Sequence, residues 1–225
     1  MIFQNVKRFL LENANRFLGM LLGLLCVLKI YGLWKYRGEV QLAFSENVFY
    51  FPSQLIVNNL VHITYLAIAS SILLLARKPK RQYSQSTPIL ISLLGSFLPY
   101  LLLIAPVSEL PQIPIIVPVL FVFVGGLISL IGLLSLRKSF SITPEVRGFV
   151  VSGIYSFIRH PMYLGGFVSV AGILLSSLSI FSLVVYLVWL VIQIWRAGLE
   201  EQLLLKEYPE YQKYRQKTAA FVPMI

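Results

Sequence analysis

A stretch of polar and ring-bearing residues, from Arg147 to Tyr163, separates two apolar runs of the chain. Within this stretch, Gly148 and Gly153 allow a ligand to approach the backbone closely, because glycine has no side chain. Polar groups concentrated beside a membrane are costly unless they bind something. The stretch therefore predicts a binding site for a small molecule at the edge of a membrane.

The histidine–proline pair His160–Pro161 stands near the end of this stretch. Proline disfavours helical backbone in the residue before it, so His160 is expected to be extended. Pro161 itself suits the first turn of a helix. His160 and Tyr163 should therefore lie near a helix N-terminus, where the histidine either caps the chain or contacts a ligand. The proximity of Tyr155 and Arg159 favours contact with a ligand.

Four polar or aromatic residues near the end of the last apolar run share one helix face. They are Trp189, Gln193, Arg196 and Glu200, spaced by four, three and four. An arginine at a membrane boundary either snorkels to water beside an ion-pair partner or binds an anion. The second alternative makes Arg196 a guanidinium that orients a carboxylate, with Glu200 fixing it. Glu201 is turned by about 100° from Glu200, so the two do not face one ligand equally.

The composition is that of a membrane protein, because 57% of the 225 residues are hydrophobic and the mean hydropathy is +0.79. We expect one membrane domain without a separate soluble module. The net charge of +10 arises from 19 basic residues against 9 glutamates. The basic residues lie in short loops between apolar runs, which is typical of contact with anionic lipid head groups rather than nucleic acid. The single cysteine, Cys26, excludes an intramolecular disulfide and a cysteine metal cluster.

Six apolar segments predict an all-α, polytopic membrane protein with about six transmembrane helices. They are residues 17–34, 55–76, 88–105, 114–136, 162–175 and 180–205. A very short connector separates the last two segments, which predicts a C-terminal antiparallel helical hairpin. Residues 1–15 are amphipathic and predict an interfacial helix rather than a cleaved signal peptide.

The distribution of lysine and arginine predicts that both termini face the cytoplasm. Basic residues cluster before the first segment, after the second and fourth, and after the sixth, whereas the alternate loops contain few. The stretch 137–161 and the C-terminal tail should consequently lie on the same, cytoplasmic side. The membrane would be the cytoplasmic membrane of a prokaryote or the endoplasmic reticulum of a eukaryote.

Three motifs in the C-terminal half resemble one family of membrane enzymes. The stretch Val151-Ser-Gly-Ile-Tyr-Ser-Phe-Ile-Arg-His-Pro-Met-Tyr-Leu-Gly165 is similar to the signature of isoprenylcysteine carboxyl methyltransferases and their phospholipid-methyltransferase relatives. The pair Glu200–Glu201 matches their paired glutamates. The tail matches through Tyr208-Pro-Glu-Tyr-Gln-Lys-Tyr214 and Phe221-Val-Pro223. The resemblance covers about residues 115–225.

This resemblance implies S-adenosyl-L-methionine as methyl donor and no metal. By position, the residues that bind the donor would be Arg147, Gly148, Phe149, Val150, Tyr155, His160, Pro161, Met162, Tyr163, Glu200 and Glu201. The catalytic residues would be Glu200 and Arg196, the latter corresponding to the arginine that orients the acceptor. Residues 1–15 would then form the interfacial helix, 16–136 four transmembrane helices, and 137–225 the donor-binding loop, the hairpin and the tail.

The reaction implied by the family is methylation of a lipophilic acceptor, in the first place the carboxylate of a prenylated cysteine. A sulfonium methyl group is already activated and a carboxylate needs no general base, so catalysis rests on positioning and on removal of water. Arg196 would hold the carboxylate, and aromatic faces such as Tyr155 would favour the sulfonium through cation–π contact. The acceptor would enter sideways between helices from the lipid bilayer.

Other functions are compatible with the same residues. A phospholipid amine or a small thiol is an alternative acceptor, and an amine would need a base such as Glu201 or His160. An NADPH-dependent membrane reductase of the sterol reductase type has a similar C-terminal pocket, although it would need a larger basic site. A non-enzymatic membrane protein with a vestigial pocket is the fourth alternative.

Polar and aromatic residues outside these motifs allow several roles. His62, in the second segment, is expected to form an interhelical hydrogen bond rather than to take part in catalysis. Lys29, in the first segment, faces a cavity or snorkels to the membrane surface. Tyr208, Tyr211 and Tyr214 of the tail either anchor it at the membrane interface or cover the methyl donor.

Overall fold

The computed structural model describes residues 2–35, 37, 59, 63, 66–75, 80–82, 86–104, 113–114, 116–142, 145–176 and 178–222. These residues are mostly helical, which confirms the predicted all-α fold. The helices are α1 (Ile2–Lys35), α2 (Ser86–Phe97), α3 (Ile116–Leu136), α4 (Pro161–Ser176), α5 (Ile180–Glu207) and α6 (Tyr211–Lys217). Short 3-10 helices are Leu98–Ile104, Arg137–Ser139 and Gly153–Ser156. Residues 66–74 are also helical.

Three of the described helices are long and apolar enough to cross a membrane, at Arg16–Lys35, Ile116–Ser139 and Ile180–Glu207. Shorter apolar helices at Thr87–Leu102 and Pro161–Ser176 correspond to the third and fifth predicted segments. Much of the second segment, including His62, lies outside the described residues. Helix α1 is continuous, so the predicted interfacial helix and the first span form one helix.

Helices α3 and α4 approach each other closely through glycine and serine residues. A Cβ atom added at Gly125 would lie 2.4 Å from the carbonyl oxygen of Gly165, and one added at Gly165 would lie 2.4 Å from Ser129 Oγ. Small residues allow such close packing of membrane helices, where van der Waals contact drives association. Because α3 ends just before residue 137 and α4 begins at Pro161, this pair holds both ends of the intervening segment together.

The predicted C-terminal hairpin is present, since only residues 177–179 lie between α4 and α5. The Ser179 side chain caps α5 by accepting a hydrogen bond from the backbone N–H of Ser182 at 3.1 Å. The Tyr186 hydroxyl donates to the carbonyl oxygen of Phe167 at 3.1 Å, which ties the two helices together above the turn.

Helix α5 is also fixed to α2 on its other side. The Trp189 indole N–H donates to the carbonyl oxygen of Gly95 at 2.7 Å. A buried apolar cluster surrounds this contact and consists of Leu102, Val170, Val185 and Trp189. The face of α5 that begins with Trp189 is therefore enclosed by protein.

Helix α1 packs against the helical segment 66–74. The Ser70 hydroxyl donates to the carbonyl oxygen of Gly19 at 2.8 Å. Cys26 is buried, as expected of a structural thiol, and its Sγ lies 3.7 Å from the carbonyl oxygen of Ile63. A second apolar cluster joins this segment to α3 and the residues after it, and consists of Ala69, Leu73, Leu133, Phe140 and Ile142.

A short backbone pairing connects the loop before α2 to the loop after α3. The strands β1 (Arg81–Gln82) and β2 (Glu145–Val146) pair antiparallel, with Arg81 opposite Val146. The Lys80 backbone N–H also donates to the carbonyl oxygen of Val146 at 2.7 Å. This two-stranded pairing was not predicted from the sequence, and it fixes the start of the segment that reaches α4.

The chain after α6 returns to the start of α4. Ile158 and Ala219 form a parallel backbone bridge. The backbone N–H groups of Arg159 and His160 donate to the carbonyl oxygens of Ala219 and Ala220 at 2.8 and 3.0 Å. The backbone of His160 is thus paired with the tail and lies outside α4, as the following proline predicted. Helix α4 begins at Pro161.

Candidate active site

A cavity of about 710 Å³ lies among the helices and reaches the segment before α4 and the tail helix α6. Nine of the twelve residues predicted for the site line it, namely Gly148, Phe149, Val150, Tyr155, His160, Met162, Tyr163, Arg196 and Glu200. Other parts of the wall are apolar and include Phe97, Val122 and Ile173. A volume of this size is typical of pockets that bind small molecules or cofactors.

The other three predicted residues, Arg147, Pro161 and Glu201, are not part of the cavity wall. Arg147 Nε donates to Glu145 Oε1 at 2.6 Å, and both side chains are buried. The Ser141 hydroxyl donates to the same oxygen at 2.7 Å. Pro161 begins α4. Direct contact of these three residues with a ligand stays a prediction from the family resemblance.

Arg196 is held at the cavity wall by groups from three other parts of the chain. Its Nη2 donates to the carbonyl oxygen of Ile142 at 2.6 Å, and its Nη1 donates to Ser96 Oγ at 3.4 Å. The guanidinium lies 5.4 Å from the centroid of the Tyr163 ring. Only 9% of the residue is exposed. The guanidinium is therefore positioned inside the protein, which argues against the simple snorkelling interpretation.

Glu200 joins this arginine to α4. Its Oε1 accepts a hydrogen bond from the Tyr163 hydroxyl at 2.5 Å and lies 3.4 Å from Arg196 Nε. The ion pair one helical turn apart, which the spacing predicted, is present. Three side chains that line the cavity thus form one chain of contacts, and the carboxylate faces the same space as the guanidinium.

Glu201 faces away from the cavity, as helix geometry requires for the residue after Glu200. One of its oxygens lies 2.8 Å from Arg159 Nε and 3.0 Å from His160 Nε2. The other lies 3.1 Å from Arg215 Nε. Arg159 Nη1 also donates to the carbonyl oxygens of Arg215 and Thr218. This network joins the start of α4, the end of α5 and the tail, so the two motifs of the sequence meet in space.

An aromatic cluster around Phe149 covers another side of the cavity. The Phe149 ring lies 5.6, 5.4 and 5.5 Å from the ring centroids of Tyr208, Tyr211 and Tyr214. The Tyr214 hydroxyl donates to the carbonyl oxygen of Tyr155 at 2.5 Å. Tyr211 is only 2% exposed, and both it and Tyr214 line the cavity. This burial favours the covering role over anchoring at the membrane interface.

The hydroxyls of these two tail tyrosines stay protonated at neutral pH. Burial raises the pKa of Tyr214 to about 12, although the nearby Arg159 charge opposes the rise. Burial and the Glu201 charge likewise hold the pKa of Tyr211 well above its usual value. Both groups can therefore serve as hydrogen-bond donors toward the cavity or the backbone.

Comparison with known protein families matches part of the C-terminal half of the chain. Residues 114–211 match the phospholipid methyltransferase family. The family resemblance noted from the sequence motifs is thereby confirmed. No curated protein matches the chain at a significant level. The match indicates a membrane methyltransferase, and nothing in it supports the alternative of a sterol reductase.

The region matched to the methyltransferase family contains most of the polar cavity wall, from Gly148 to Tyr211. Part of the opposite wall comes from the N-terminal half of the chain. There Lys29 Nζ donates to Asn59 Oδ1 at 3.0 Å, and both residues line the cavity. Lys29 therefore faces the cavity, which was one of its two expected positions. Among the described residues, no group of three or more His, Cys, Asp or Glu side chains is suited to hold a metal ion.

Sequence reasoning missed the contribution of α2 to the site and left the role of the tail open. Gly95 and Ser96 of α2 lie within an apolar helix without a motif, so only the folded chain reveals their contact with α5. The tail tyrosines carried a weak signal, since Tyr208, Tyr211 and Tyr214 recur at intervals of three residues. Their common partner, Phe149, lies about sixty residues away; the family resemblance placed it in the donor site, but no sequence feature paired it with the tail.

Proposed function

We propose that this chain transfers a methyl group from S-adenosylmethionine to the carboxylate of a prenylated cysteine or a similar lipophilic acid. The observation that supports this most directly is the position of Arg196. Its guanidinium is buried, is fixed by Ile142 and Ser96, and lines a cavity whose wall is partly polar and partly apolar. A fixed guanidinium is suited to bind a carboxylate in one orientation.

The polar part of the cavity fits S-adenosylmethionine, which carries charged, ring and hydroxyl groups. Gly148 lies where a side chain would not fit, because an added Cβ would stand 2.4 Å from Ser139 Oγ. Glycine at this position therefore lets Ser139 pack against the backbone, which fixes residues 148–150 at the cavity wall. Glu200 offers a carboxylate to hydroxyl or ammonium groups, and the aromatic ring of Tyr155 offers a face to a cation.

The three predicted residues outside the cavity wall have indirect roles in this proposal. Glu201 fixes the His160 ring, because its carboxylate lies 3.0 Å from Nε2. Pro161 fixes the His160 backbone at the entry to α4. Arg147, paired with buried Glu145, fixes the loop that continues into residues 148–150. We therefore infer that all three shape the donor site through the residues that line it.

The chemistry needs few groups from the protein. S-adenosylmethionine supplies, when bound, a methyl group already activated on a sulfonium sulfur. Arg196 orients the acceptor carboxylate, which is ionised at neutral pH and needs no base. Enclosure by the aromatic cluster and by apolar side chains excludes water from the carboxylate, which raises its reactivity. Catalysis then depends on the mutual positions of two bound molecules.

A phospholipid amine is the second candidate acceptor, and the name of the matching family favours it. An amine must lose a proton before it attacks, so the site would need a general base. Glu201 is engaged by the guanidinium groups of Arg159 and Arg215 and does not line the cavity, and Nε2 of His160 faces that same carboxylate. Glu201 is therefore unsuited to the base role, and an amine acceptor would depend on Nδ1 of His160, whose ring lines the cavity. A carboxylate needs no base and matches the buried guanidinium of Arg196, which is why we prefer a carboxylate acceptor.

The active site would face the cytoplasm in this proposal. Lysine and arginine are in excess in the loops on that side of the predicted spans, which supports this orientation. A soluble donor would reach the polar cavity wall from the cytoplasm, while the acceptor would come from the lipid bilayer. Both partners would then meet at Arg196 without either crossing the membrane.

The decisive experiment combines donor binding with an acceptor panel. Purified protein in lipid nanodiscs is titrated with S-adenosylmethionine and, separately, with NADPH. Labelled methyl transfer is then measured to a prenylcysteine, a phospholipid amine and a thiol. We expect binding of S-adenosylmethionine alone and transfer to the prenylcysteine. Absence of donor binding would refute the methyltransferase proposal. Transfer to the phospholipid alone would keep the methyltransferase proposal but show that the acceptor is a phospholipid amine and not a prenylated cysteine.

A further inference from the structure

Lys29 places an ammonium group in the cavity wall, within the helical segment Arg16–Lys35 that is long and apolar enough to cross a membrane. Its Nζ donates to Asn59 Oδ1 at 3.0 Å, and both residues are half-buried. A charged side chain within a membrane is costly, and such residues typically face a cavity in which they bind a substrate or an ion. The chemistry proposed at Arg196 makes no use of Lys29, so this lysine has a separate role in the same cavity.

Lys29 and Arg196 line the cavity at different depths. Leu18 and Leu22 of α1 pack against the apolar cluster that contains Ile142. The carbonyl oxygen of Ile142 accepts the hydrogen bond from Arg196 Nη2. Lys29 follows the two leucines by eleven and seven residues, which corresponds to about 10–16 Å along the helix axis. The cavity therefore has two cationic points in its wall, one near each end of this distance.

The wall that accompanies this distance is mostly apolar. Helix α4 contains no charged residue, and it contributes to the wall from Met162 to Ser176, which is about 20 Å of helix. Leu66 of the helical segment 66–74 and Val122 of α3 also line the cavity. A molecule that reaches from one cationic point to the other therefore needs an apolar middle part and a polar group at each end.

We propose that Lys29 and Asn59 form a second anion-binding point in the cavity, and that the acceptor is a lipophilic acid with a second acidic group at the far end of its chain. An ammonium attracts an anion more strongly in apolar surroundings than in water. Asn59 is neutral, so the counter-charge comes from the ligand in this proposal. The amide nitrogen of Asn59 is a hydrogen-bond donor that suits the same anion.

This inference rests on the proposed function and deepens it, because the first carboxylate of the acceptor lies at Arg196. A prenyl chain ends in hydrocarbon and offers Lys29 no counter-charge. Among lipophilic acids, the cavity would consequently favour those with two acidic ends over those with one. Lys29 is a specificity-determining residue in this proposal and takes no part in the methyl transfer.

The test compares acids that have one carboxylate with acids that have two. Lauric acid and dodecanedioic acid have equal chain lengths, and shorter and longer pairs bracket the separation of the two cationic points. Equilibrium binding is measured without methyl donor on the full chain in nanodiscs, for the native protein and for Lys29→Met. We expect Lys29→Met to weaken binding of the best-fitting diacid about tenfold, as loss of a charge-assisted hydrogen bond does. Binding of the matching monoacid should stay unchanged, and comparison of two proteins for each compound cancels its partition into lipid.

Three further variants make the result specific. Lys29→Arg keeps the positive charge and should keep tight binding of the diacid. Lys35→Met removes an exposed lysine of the same helix that does not line the cavity, and it should bind both compounds like the native protein. Lys29→Gln replaces Lys29→Met if that variant does not fold, with the same expected result. Thermal unfolding establishes that each variant is folded.

The inference about Lys29 would be overturned by equal effects of Lys29→Met on monoacids and diacids, by a diacid affinity that this variant leaves intact, or by a native protein that binds no diacid of the series. S-adenosylmethionine is titrated on the same samples. A native protein that binds S-adenosylmethionine but shows one of these outcomes contradicts the role of Lys29 only. Failure to bind S-adenosylmethionine contradicts the proposed function itself, so the two failures are distinguishable.

Discussion

The imidazole Nε2 of His160 lies 3.0 Å from the carboxylate of Glu201, although forty residues separate them in the chain. The same carboxylate oxygen lies 2.8 Å from Arg159 Nε. These contacts join the start of α4 to the end of α5 at the place where both helices meet the tail. Glu201 therefore acts as the common partner that fixes the His160 ring at the cavity wall.

Replacement of this carboxylate should loosen the tail and the His160 ring together. Glu201→Gln leaves Arg159 and His160 without a charged partner in a mostly buried place, which we expect to destabilise the fold by about 3 kcal/mol. Affinity for S-adenosylmethionine should fall about tenfold, because His160 is no longer held. Thermal unfolding and donor titration check both effects. Glu210→Gln, at an exposed glutamate before α6, is the matched control; equal behaviour of the two variants would contradict the role of Glu201.

Loss of the fixed guanidinium should affect acceptor use more than donor binding. In Arg196→Lys the charge is kept, but the contacts with Ile142 and Ser96 cannot both be made by an ammonium on a flexible stem. We expect kcat/KM for the acceptor to fall about 100-fold, while the dissociation constant of S-adenosylmethionine changes less than threefold. Steady-state kinetics and donor titration measure the two quantities. Arg137→Lys, at an exposed arginine after α3, should leave both unchanged.

If Arg196→Lys retained full activity with the carboxylate acceptor, orientation by the guanidinium fork would be wrong. A large loss of donor affinity without a change in acceptor use would instead move Arg196 to the donor site. Either result would remove the main support for a carboxylate acceptor.

The local chemistry of the chain made part of this arrangement predictable. Proline after His160 fixed the start of α4, and the interval between Arg196 and Glu200 predicted their ion pair. The opposed directions of Glu200 and Glu201 also follow from helix geometry alone. In each case the relevant residues lie within one or two helical turns, so backbone geometry decides their relationship.

Contacts between distant segments were not predictable in the same way. The cluster of Phe149 with Tyr211 and Tyr214 depends on how the tail returns over the cavity, and no local pattern encodes that return. The contact of Arg196 with Ser96 spans a hundred residues and depends on the close fit of α2 against α5. Apolar periodicity identifies membrane helices, but it does not specify which of their faces meet.

The close approach of α3 and α4 should tolerate no side chain at Gly165. A Cβ atom there would lie 2.4 Å from Ser129 Oγ and 2.5 Å from the carbonyl oxygen of Gly125, so the helices would have to separate. We expect Gly165→Ala to destabilise the protein by about 1–3 kcal/mol, as overpacking of a tight contact does. Gly198→Ala is the control, because no atom lies within 4 Å of an added Cβ there. Thermal unfolding compares them, and equal stability would contradict the tight α3–α4 contact.

The hydroxyl of Tyr214 should stabilise the tail up to alkaline pH and then cease to do so. Its pKa in the folded protein is about 12, against an ordinary value of 10.0. The folded state therefore holds this proton more tightly, so its contribution is complete below about pH 10 and is lost as the pH rises toward 12. Tyr214→Phe removes the hydrogen bond to Tyr155 and should lower stability by about 1 kcal/mol at pH 7. As the pH rises toward 12, the free energy of unfolding should also fall less in Tyr214→Phe than in the native protein. Thermal unfolding between pH 7 and 12 tests both, and identical pH profiles for the two proteins would show that Tyr214 is not the buried donor described here.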